Sequence, residues 1–259
     1  DFQSIQHENQ SLAARQLIGL LKQSAIASPE LSPFVKLLTD WDGTLSRESA
    51  AAALYSVWMQ ELQADFYKIR MPKESQSDRG DLRKLPVMFA HLEQPDTWAF
   101  GKKPVQSRDE LLRQSLERAV SRTRQLLGHE PQNWTWGSLH TVTFRHPLAG
   151  LGPNYERAFN LGPVGRPGDS TTPNNTRSND QFEQIHGASY RHVFDLADWD
   201  RGLATSTPGQ SGQLGSPHYD DLLSLWAEAN YFPLAYSREK VDAVTANRLS
   251  LLPTSPKTP

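Results

Sequence analysis

A change in hydrophobic periodicity near Gly128 limits most strongly how this chain can fold. Before it, apolar residues recur every three or four positions in three long runs, the spacing of helices that bury one face. The runs are Leu12 to Leu21, Ala50 to Tyr67 and Ser107 to Leu127. After it, apolar and polar residues alternate over 134–144, which predicts a strand. We therefore predict an α+β fold, with a mainly helical subdomain at 1–133 and a strand-rich segment at 134–259 that includes a closing C-terminal helix.

Local signals refine the helical part. Ser46 precedes the second run and is a candidate N-cap for its helix. Along the third predicted helix, Arg113 follows Glu110 by three residues and precedes Glu117 by four, and helical side chains at these spacings can form ion pairs. The charged stretch Met71 to Gly80 is predicted to be a loop.

The second half contains shorter predicted elements. Gly150 to Asn179 concentrates Gly, Pro, Asn and Thr, which predicts a long irregular segment. The remaining predictions are strands at Tyr190 to Leu196 and Leu203 to Ser206, a short helix at Tyr219 to Glu228 and an extended or disordered tail from Pro253. Strands without neighbours would leave exposed edges that favour association.

Composition excludes several functional classes. The 29 acidic and 27 basic residues are interspersed, so no basic face for nucleic acid is expected. No apolar run approaches the roughly 20 residues that cross a bilayer, so no membrane partner is expected either. The lack of cysteine excludes disulfides, thiolate metal ligands and a cysteine nucleophile. The chain opens at Asp1 without an initiator Met or signal sequence, which we interpret as a fragment or a processed product.

One short motif suggests phosphoryl transfer. Leu37 to Leu45 matches the hhhhDxDGTL signature of haloacid dehalogenase phosphatases, with Asp40 as nucleophile and Asp42 as acid and base. That chemistry needs Mg²⁺ held by a further aspartate pair, and the candidate pair, Asp220-Asp221, follows a turn rather than a hydrophobic strand. The simpler prediction is a turn in which Asp42 accepts backbone hydrogen bonds and Gly43 has positive φ.

Two other sets of residues could suggest a metal or catalytic site. Five histidines could suggest a metal, but none pairs at a ligand spacing, so structural roles are predicted. They are His140, His146, His186, His192 and His218. Ser211, His218 and Asp220 could form a triad, but the sequence around Ser211 is no nucleophile elbow, and a local loop is predicted. Trp134, Trp136 and Trp199 are predicted to be packing aromatics.

Several blocks, in order along nearly the whole chain, resemble the penicillin acylase family. The blocks are Trp41-Asp42-Gly43 with Tyr55 and Trp58, Trp136 to His140 with Phe144 to Leu148, Phe159 to Pro163, Gly168 to Thr171 with Asn174-Asn175, His186 to Arg191, Asp198 to Asp200, Pro208 to Gly212 and Ser216 to Asp221. The family consists of N-terminal nucleophile hydrolases with an αββα sandwich. A Ser released by self-cleavage is the nucleophile, and its α-amine is the base.

The resemblance implies that this chain is the C-terminal part of the β-subunit. The nucleophile Ser, the oxyanion-hole Asn and the ligands of a structural calcium are then expected upstream, so no catalytic residue, cofactor or metal ligand is assigned here. His186 and Ser189 are the expected site-adjacent residues, since a Gly between them permits close backbone approach. The alternative is that His186 to Tyr190 is a strand packed into the sandwich.

The resemblance also implies partners and a location. The partners are the α-subunit, the N-terminal part of the β-subunit and a small-molecule amide, with a β-lactam side chain or an acyl-homoserine lactone as substrate types. The implied roles are hydrolysis of the acyl amide of an antibiotic and quorum quenching, in the periplasm or outside the cell. The alternatives are a non-catalytic structural or interaction module and, with less support, the phosphatase using Asp40 and Asp42.

Overall fold

The computed structural model describes residues 2–26, 28–70 and 85–252. These residues form two compact units, Asp1–Ala188 and Ser189–Pro259. The predicted loop at Met71 to Gly80 and the tail from Pro253 lie outside the described residues. The boundary predicted at 133/134 marks a change in hydrophobic periodicity along the sequence. The boundary between the two compact units, at 188/189, is defined by contacts in the folded structure. The described residues combine helices with antiparallel strands, and the long helices precede residue 128 while the strands follow it, which agrees with the α+β class.

The first unit is built mainly of helices. In its described part they are α1 (Phe2–Gln6), α2 (Leu12–Gln23), α3 (Ser32–Thr39), α4 (Ala50–Arg70), α5 (Leu85–Glu93), α6 (Thr97–Phe100), α7 (Pro104–Leu127), α8 (Trp136–Leu139) and α9 (Pro153–Phe159). The three long helices predicted from periodicity are thus confirmed as α2, α4 and α7. None of the described helices is long and apolar enough to cross a membrane.

The core lies between α4 and α7, which pack against each other. Trp58 of α4 is fully buried, and its indole N–H donates to Ser115 Oγ of α7 at 2.9 Å. On the outer face of α7, Arg113 pairs with Glu110 at 2.8 Å and with Glu117 at 3.1 Å, as predicted. One side of α7 therefore packs in the core and the other carries charge.

Side-chain caps fix the starts of α2 and α4. Ser11 Oγ accepts from the Ala14 N–H at 3.0 Å, and Ser49 Oγ accepts from the Ala52 N–H at 3.1 Å. The prediction of Ser46 as the cap of α4 was wrong by one turn. Ser49 is the residue that stands directly before the first helical residue, where an N-cap hydroxyl can reach the orphan N–H groups.

A two-stranded antiparallel sheet completes the first unit. It pairs β1 (Thr141–Phe144) with β2 (Leu161–Gly165). The strand predicted over 134–144 is confirmed only for its last four residues, because Trp136–Leu139 forms α8. The segment Gly150 to Asn179, predicted to be irregular, contains α9 and β2, and is irregular beyond Gly165.

The second unit centres on a three-stranded antiparallel sheet in the order β3 (Arg191–Val193), β4 (Leu203–Thr205), β5 (Phe232–Pro233). The two predicted strands are present but shorter than expected. The predicted helix at Tyr219 to Glu228 is reduced to α10 (Leu223–Ala227), and α11 (Arg238–Val244) follows near the C-terminus.

Candidate functional site

Three chain segments that are distant in sequence meet beside the start of α2. Residues 8–11 run next to residues 43–45, with Ser11 N–H donating to Gly43 O at 3.0 Å and Leu45 N–H to Asn9 O at 3.0 Å. The loop 166–176 joins them through Gly168 N–H to Leu45 O at 2.8 Å. We call this meeting of 8–11, 43–45 and 166–176 the junction. Two of the sequence blocks quoted above contribute to it.

The Trp41-Asp42-Gly43 block forms the tight turn that brings residues 43–45 into the junction. Asp42 accepts from the Thr44 N–H at 2.8 Å and from the Thr44 hydroxyl at 3.0 Å. Gly43 has φ of +87°, a conformation that favours glycine, and a Cβ there would also displace the Arg15 side chain, whose Cγ would lie 2.9 Å away. The turn prediction is confirmed.

The same segment lacks the structural setting of the phosphatase motif. Asp40 caps the C-terminal end of α3 and pairs with Lys36 one turn earlier, at 2.5 Å and largely exposed to solvent. The nucleophile of that class follows a hydrophobic strand, whereas Asp40 follows a helix that starts at Ser32-Pro33. With Asp42 engaged in the turn, neither carboxylate is arranged to attack phosphorus.

A chain of hydroxyl groups crosses the junction. Ser11 Oγ lies 2.8 Å from Thr171 Oγ1, which donates to Asp169 Oδ1 at 2.7 Å, and the Ser11 side chain is also hydrogen-bonded to the buried Tyr55. Burial, together with the Asp169 carboxylate, raises the pKa of Tyr55, which stays protonated. Burial likewise raises the pKa of Asp169, opposed by the hydrogen bonds from Thr171 and Thr172. With Asp169 ionised, the Thr171 hydroxyl donates to its carboxylate, Ser11 can donate to Thr171, and Tyr55 can donate to Ser11.

The Trp136 to His140 block holds the far side of the loop 166–176. The Trp136 indole N–H donates to Gly168 O at 2.9 Å, and the His140 ring stacks on Trp136 at 4.6 Å. His140 is fully buried, and its Nδ1 lies 2.8 Å from the carbonyl of Phe182, so this nitrogen carries the proton and donates. Burial, together with the nearby Arg166 charge, lowers the pKa of His140 to about 4. The imidazole is therefore neutral at pH 7.

These contacts give the junction a positioning role rather than a reactive one. Its hydroxyls and carboxylate bond to one another, and Tyr55 and Ser11 are buried. A surface cavity of about 380 Å³ lies at the exposed side of α2 and the 41–43 turn. It is lined by Gln10, Arg15, Ile18, Gly19, Lys22, Trp41 and Asp42, which include no hydroxyl or imidazole that could act as nucleophile or base.

The two residues that are expected to lie beside the reaction centre, His186 and Ser189, are both exposed. His186 lies in the first unit, where its N–H donates to Arg177 O at 3.2 Å, and Ser189 begins the second unit. The close backbone approach expected at the intervening Gly187 is present, since a Cβ there would lie 2.8 Å from Asn175 O. The role of His186 and Ser189 next to a reaction centre stays a prediction.

The alternative of a triad of Ser211, His218 and Asp220 is not supported by the structure. The carboxylate that contacts His218 Nδ1, at 2.8 Å, belongs to Asp221. Ser211 Oγ accepts from the Gln213 N–H at 3.1 Å, as expected for a local loop. A Cβ on Gly209 would lie 2.4 Å from the His218 carbonyl, so this glycine packs backbone against backbone.

The other histidines occupy separate places. His146 caps a 3₁₀ turn through the Leu148 N–H at 3.1 Å, and His192 lies between Tyr190 and Phe194 in the second unit. Within 2–26, 28–70 and 85–252, no three His, Asp or Glu side chains come together as a metal site.

Sequence reasoning identified the blocks but not their mutual contacts. Tyr55 and Asp169 were quoted in different motifs, and Ser11, which connects them, was missed. Its available signal was its position directly before Leu12, where a Ser is a typical N-cap. The 160-residue separation between Ser11 and Thr171 had no signal in the sequence.

Comparisons with known proteins give a consistent result. The sequence profile described as penicillin amidase matches residues 1–243. Penicillin acylase 2 proenzyme of Pseudomonas sp. (strain SE83) is 27% identical over 91% of this chain and 31% of its own length. Acyl-homoserine lactone acylase QuiP of Pseudomonas aeruginosa is 26% identical over 94% of this chain, again 31% of its own length. The chain thus spans about a third of these relatives.

A solved structure supports the same fold. The thermostable penicillin G acylase from Alcaligenes faecalis superposes with a TM-score of 0.55 at 17% identity. The match covers 96% of this chain and 48% of that one.

Proposed function

The chain belongs to the penicillin amidase family, and from this membership we propose that it is one part of an amidohydrolase that cleaves an acyl group from a small-molecule amide. The observation that carries the proposal is the match over residues 1–243, which includes the blocks that meet in the junction. The relatives named above suggest two substrate types, β-lactam amides with a removable side chain and acyl-homoserine lactones.

In this proposal the chemistry belongs to sequence outside this chain. A serine at the N-terminus of the β-subunit would attack the amide carbonyl, with its own α-amine accepting the hydroxyl proton. An asparagine and a backbone N–H would stabilise the tetrahedral oxyanion, and one such donor is typically worth about 3 kcal/mol. Ser189 and His186 would lie near that centre, and the junction would hold the 41–45, 136–140 and 166–176 segments in place.

The finer structural expectations belong to the same proposal. The strands of this chain would complete an αββα sandwich whose other strands come from the α-subunit and the rest of the β-subunit. A structural calcium ion would be held by those partners, because the family resemblance places its ligands mainly upstream of this chain. The assembly would work in the periplasm or outside the cell.

An activity assay tests the proposal. The 259-residue chain and the protein isolated from its source are each incubated with a panel of acyl amides, and the released amine is quantified. We expect hydrolysis by the source protein and none by the chain alone. Turnover by the chain alone would show that the nucleophile lies within it, and inactivity of the source protein on every amide would refute the amidase proposal.

A non-catalytic module is the second candidate. The observation that favours it is that the polar side chains of the junction are hydrogen-bonded to one another. They are therefore not available to bind a substrate. It predicts that the source protein contains the chain in a stable complex without amide turnover. Native mass spectrometry followed by denaturing mass spectrometry identifies the complex, and the amide panel separates the two candidates.

The phosphatase alternative has its own test. Mg²⁺-dependent hydrolysis of p-nitrophenyl phosphate that disappears in Asp40→Asn would reinstate it. We expect no such activity, since Asp40 ends a helix and pairs with Lys36.

A further inference from the structure

The surface cavity of about 380 Å³ beside the 41–43 turn has a wall that is formed by a single helix face. We call it the α2 cavity. Ile18, Gly19 and Lys22 follow Arg15 by three, four and seven positions, so the four residues share one face of α2. Trp41 also lines the cavity. The volume falls within the range of small-molecule binding sites, about 300 to 1,000 Å³.

The α2 cavity combines apolar surface with positive charge. Ile18 is buried and Trp41 is partly buried, whereas Arg15 and Lys22 are exposed. Among the residues that the structure describes, neither Arg15 nor Lys22 has an acidic partner. The acidic residue of the described lining, Asp42, already accepts two hydrogen bonds inside its own turn. Two positive charges and one negative charge leave the cavity with a net charge of +1, which attracts an anion.

Gly19 is not explained by packing within the described part of the chain. It lies in the interior of α2, where glycine is less stable than alanine because it loses more backbone freedom on folding. A Cβ built on Gly19 would meet no atom within 4 Å, so no neighbour requires glycine at this position. The missing side chain leaves open space in the wall of the cavity. A ligand that occupies this space accounts for the glycine.

Two neighbours position the side chain of Arg15. Gly43 has no Cβ, and this leaves room for the Arg15 stem. The guanidinium donates to Gln10 Oε1 at 3.4 Å, which is a long hydrogen bond to a neutral group. A guanidinium carries five N–H donors, so most of them remain for another acceptor. The group that matches a guanidinium best is a carboxylate, which accepts two parallel hydrogen bonds from it.

We propose that the α2 cavity binds a small organic carboxylate. The carboxylate group is held by Arg15 and attracted by Lys22, and the apolar body packs against Ile18 and Trp41 in the space that Gly19 leaves open. A ligand with a single negative charge balances the net charge of the cavity. The inference uses only α2 and the turn that follows α3, so it does not depend on the proposed amidase function.

Isothermal titration calorimetry with octanoate tests the proposal on the protein isolated from its source. Octanoate should bind with a Kd of about 1 mM or tighter, as expected for a ligand of this size. Octylamine has the same apolar chain with the opposite charge, and acetate has the charge without the chain. Both should bind roughly tenfold more weakly or not at all, since each lacks one half of the proposed interaction.

Two variants, produced together with any companion polypeptide of the source protein, locate the site. Gly19→Leu fills the cavity without a clash and should weaken octanoate binding roughly tenfold, while its midpoint of urea denaturation stays equal or rises, because Leu has the higher helix propensity. Gln23→Leu, at an exposed position of the same helix outside the described cavity lining, is the matched control and should keep the wild-type Kd.

The second variant changes charge and leaves the shape of the helix alone. Arg15→Gln should weaken octanoate binding roughly tenfold, by loss of the charged hydrogen bonds to the carboxylate. Lys102→Gln removes an exposed positive charge outside the described cavity lining and should have no effect on the Kd. Circular dichroism checks that all four variants are folded, and Arg15→Gln keeps the test decisive if Gly19→Leu does not fold.

Several results would overturn the proposal. Equal affinity for octanoate and octylamine would show that the ligand only adsorbs to apolar surface. An acyl-binding pocket elsewhere in the protein would also bind octanoate, but that binding would persist in both Gly19→Leu and Arg15→Gln. Unchanged affinity in the two variants, or no binding to the wild type, therefore refutes the site. Amide hydrolysis without octanoate binding at the α2 cavity would retain the proposed function and refute the site, and octanoate binding there without hydrolysis would do the reverse.

Discussion

Protonation of His140 should destabilise the first unit between pH 6.5 and pH 4. The ring is fully buried against Trp136, and burial together with Arg166 lowers its pKa from the usual 6.5 to about 4. The folded state therefore favours the neutral imidazole. The resulting stabilisation is fully present above pH 6.5 and is lost as the pH falls through the folded-state value of about 4.

The expected magnitude follows from that difference in pKa. At about 1.4 kcal/mol per pKa unit, the free energy of unfolding should lose about 3 kcal/mol over this range. His140→Asn removes the titration but keeps an N–H that can donate to the Phe182 carbonyl. The variant should be less stable than wild type at pH 7, and the difference should shrink by about 3 kcal/mol at pH 4.

Urea denaturation, followed by tryptophan fluorescence at pH 4 to 7.5, measures the free energy of unfolding of the wild type and of His140→Asn. His129→Asn, at an exposed position, is the matched control and should keep the wild-type pH dependence. A constant difference between wild type and His140→Asn across the whole range would refute the reasoning, because it would mean that protonation of His140 is not coupled to unfolding.

Three further predictions concern packing and caps. Ser115→Ala leaves the buried indole N–H of α4 without its acceptor, so the free energy of unfolding should fall by about 1 to 3 kcal/mol in urea titrations. Gly209→Ala places a Cβ against two backbone carbonyls and should lower the thermal midpoint of the second unit, while Gly212→Ala, which has open space, should not. Ser49→Ala should cost about 1 kcal/mol by loss of the cap and Ser46→Ala much less, and equal losses would contradict the cap assignment.

The long helices were predictable because their burial is local in origin. In α2, α4 and α7 the apolar spacing persists over three turns or more, so periodicity alone identifies them. Trp136–Leu139 was misassigned to a strand, since four residues are too few to distinguish a period of two from one turn of helix. Its conformation depends on distant partners, namely the Gly168 carbonyl for Trp136 and the Arg47 carbonyl for Gly137.

The site was predictable only as a set of blocks. Asp42 and Gly43 were placed correctly because their turn is stabilised by bonds within four residues. The neighbours of Ser11 and Asp169 were not predicted, since pairing across 160 residues depends on the whole fold. His218 contacts Asp221 and not the neighbouring Asp220. Which of two adjacent carboxylates points toward the imidazole depends on the local backbone conformation, and sequence spacing does not determine it.

The junction also dictates an order of events during synthesis. Ser11 contacts a residue 160 positions later, and Asn9 one 165 positions later, through Asn174. A ribosome adds about 5 to 20 residues per second, so these partners emerge roughly 10 to 30 seconds after the start of α2. During that interval α2 can be helical, but its N-terminal residues have no loop to bind. The surface formed by residues 8–11 therefore stays exposed on the nascent chain during this interval, and a chaperone could bind it in that time.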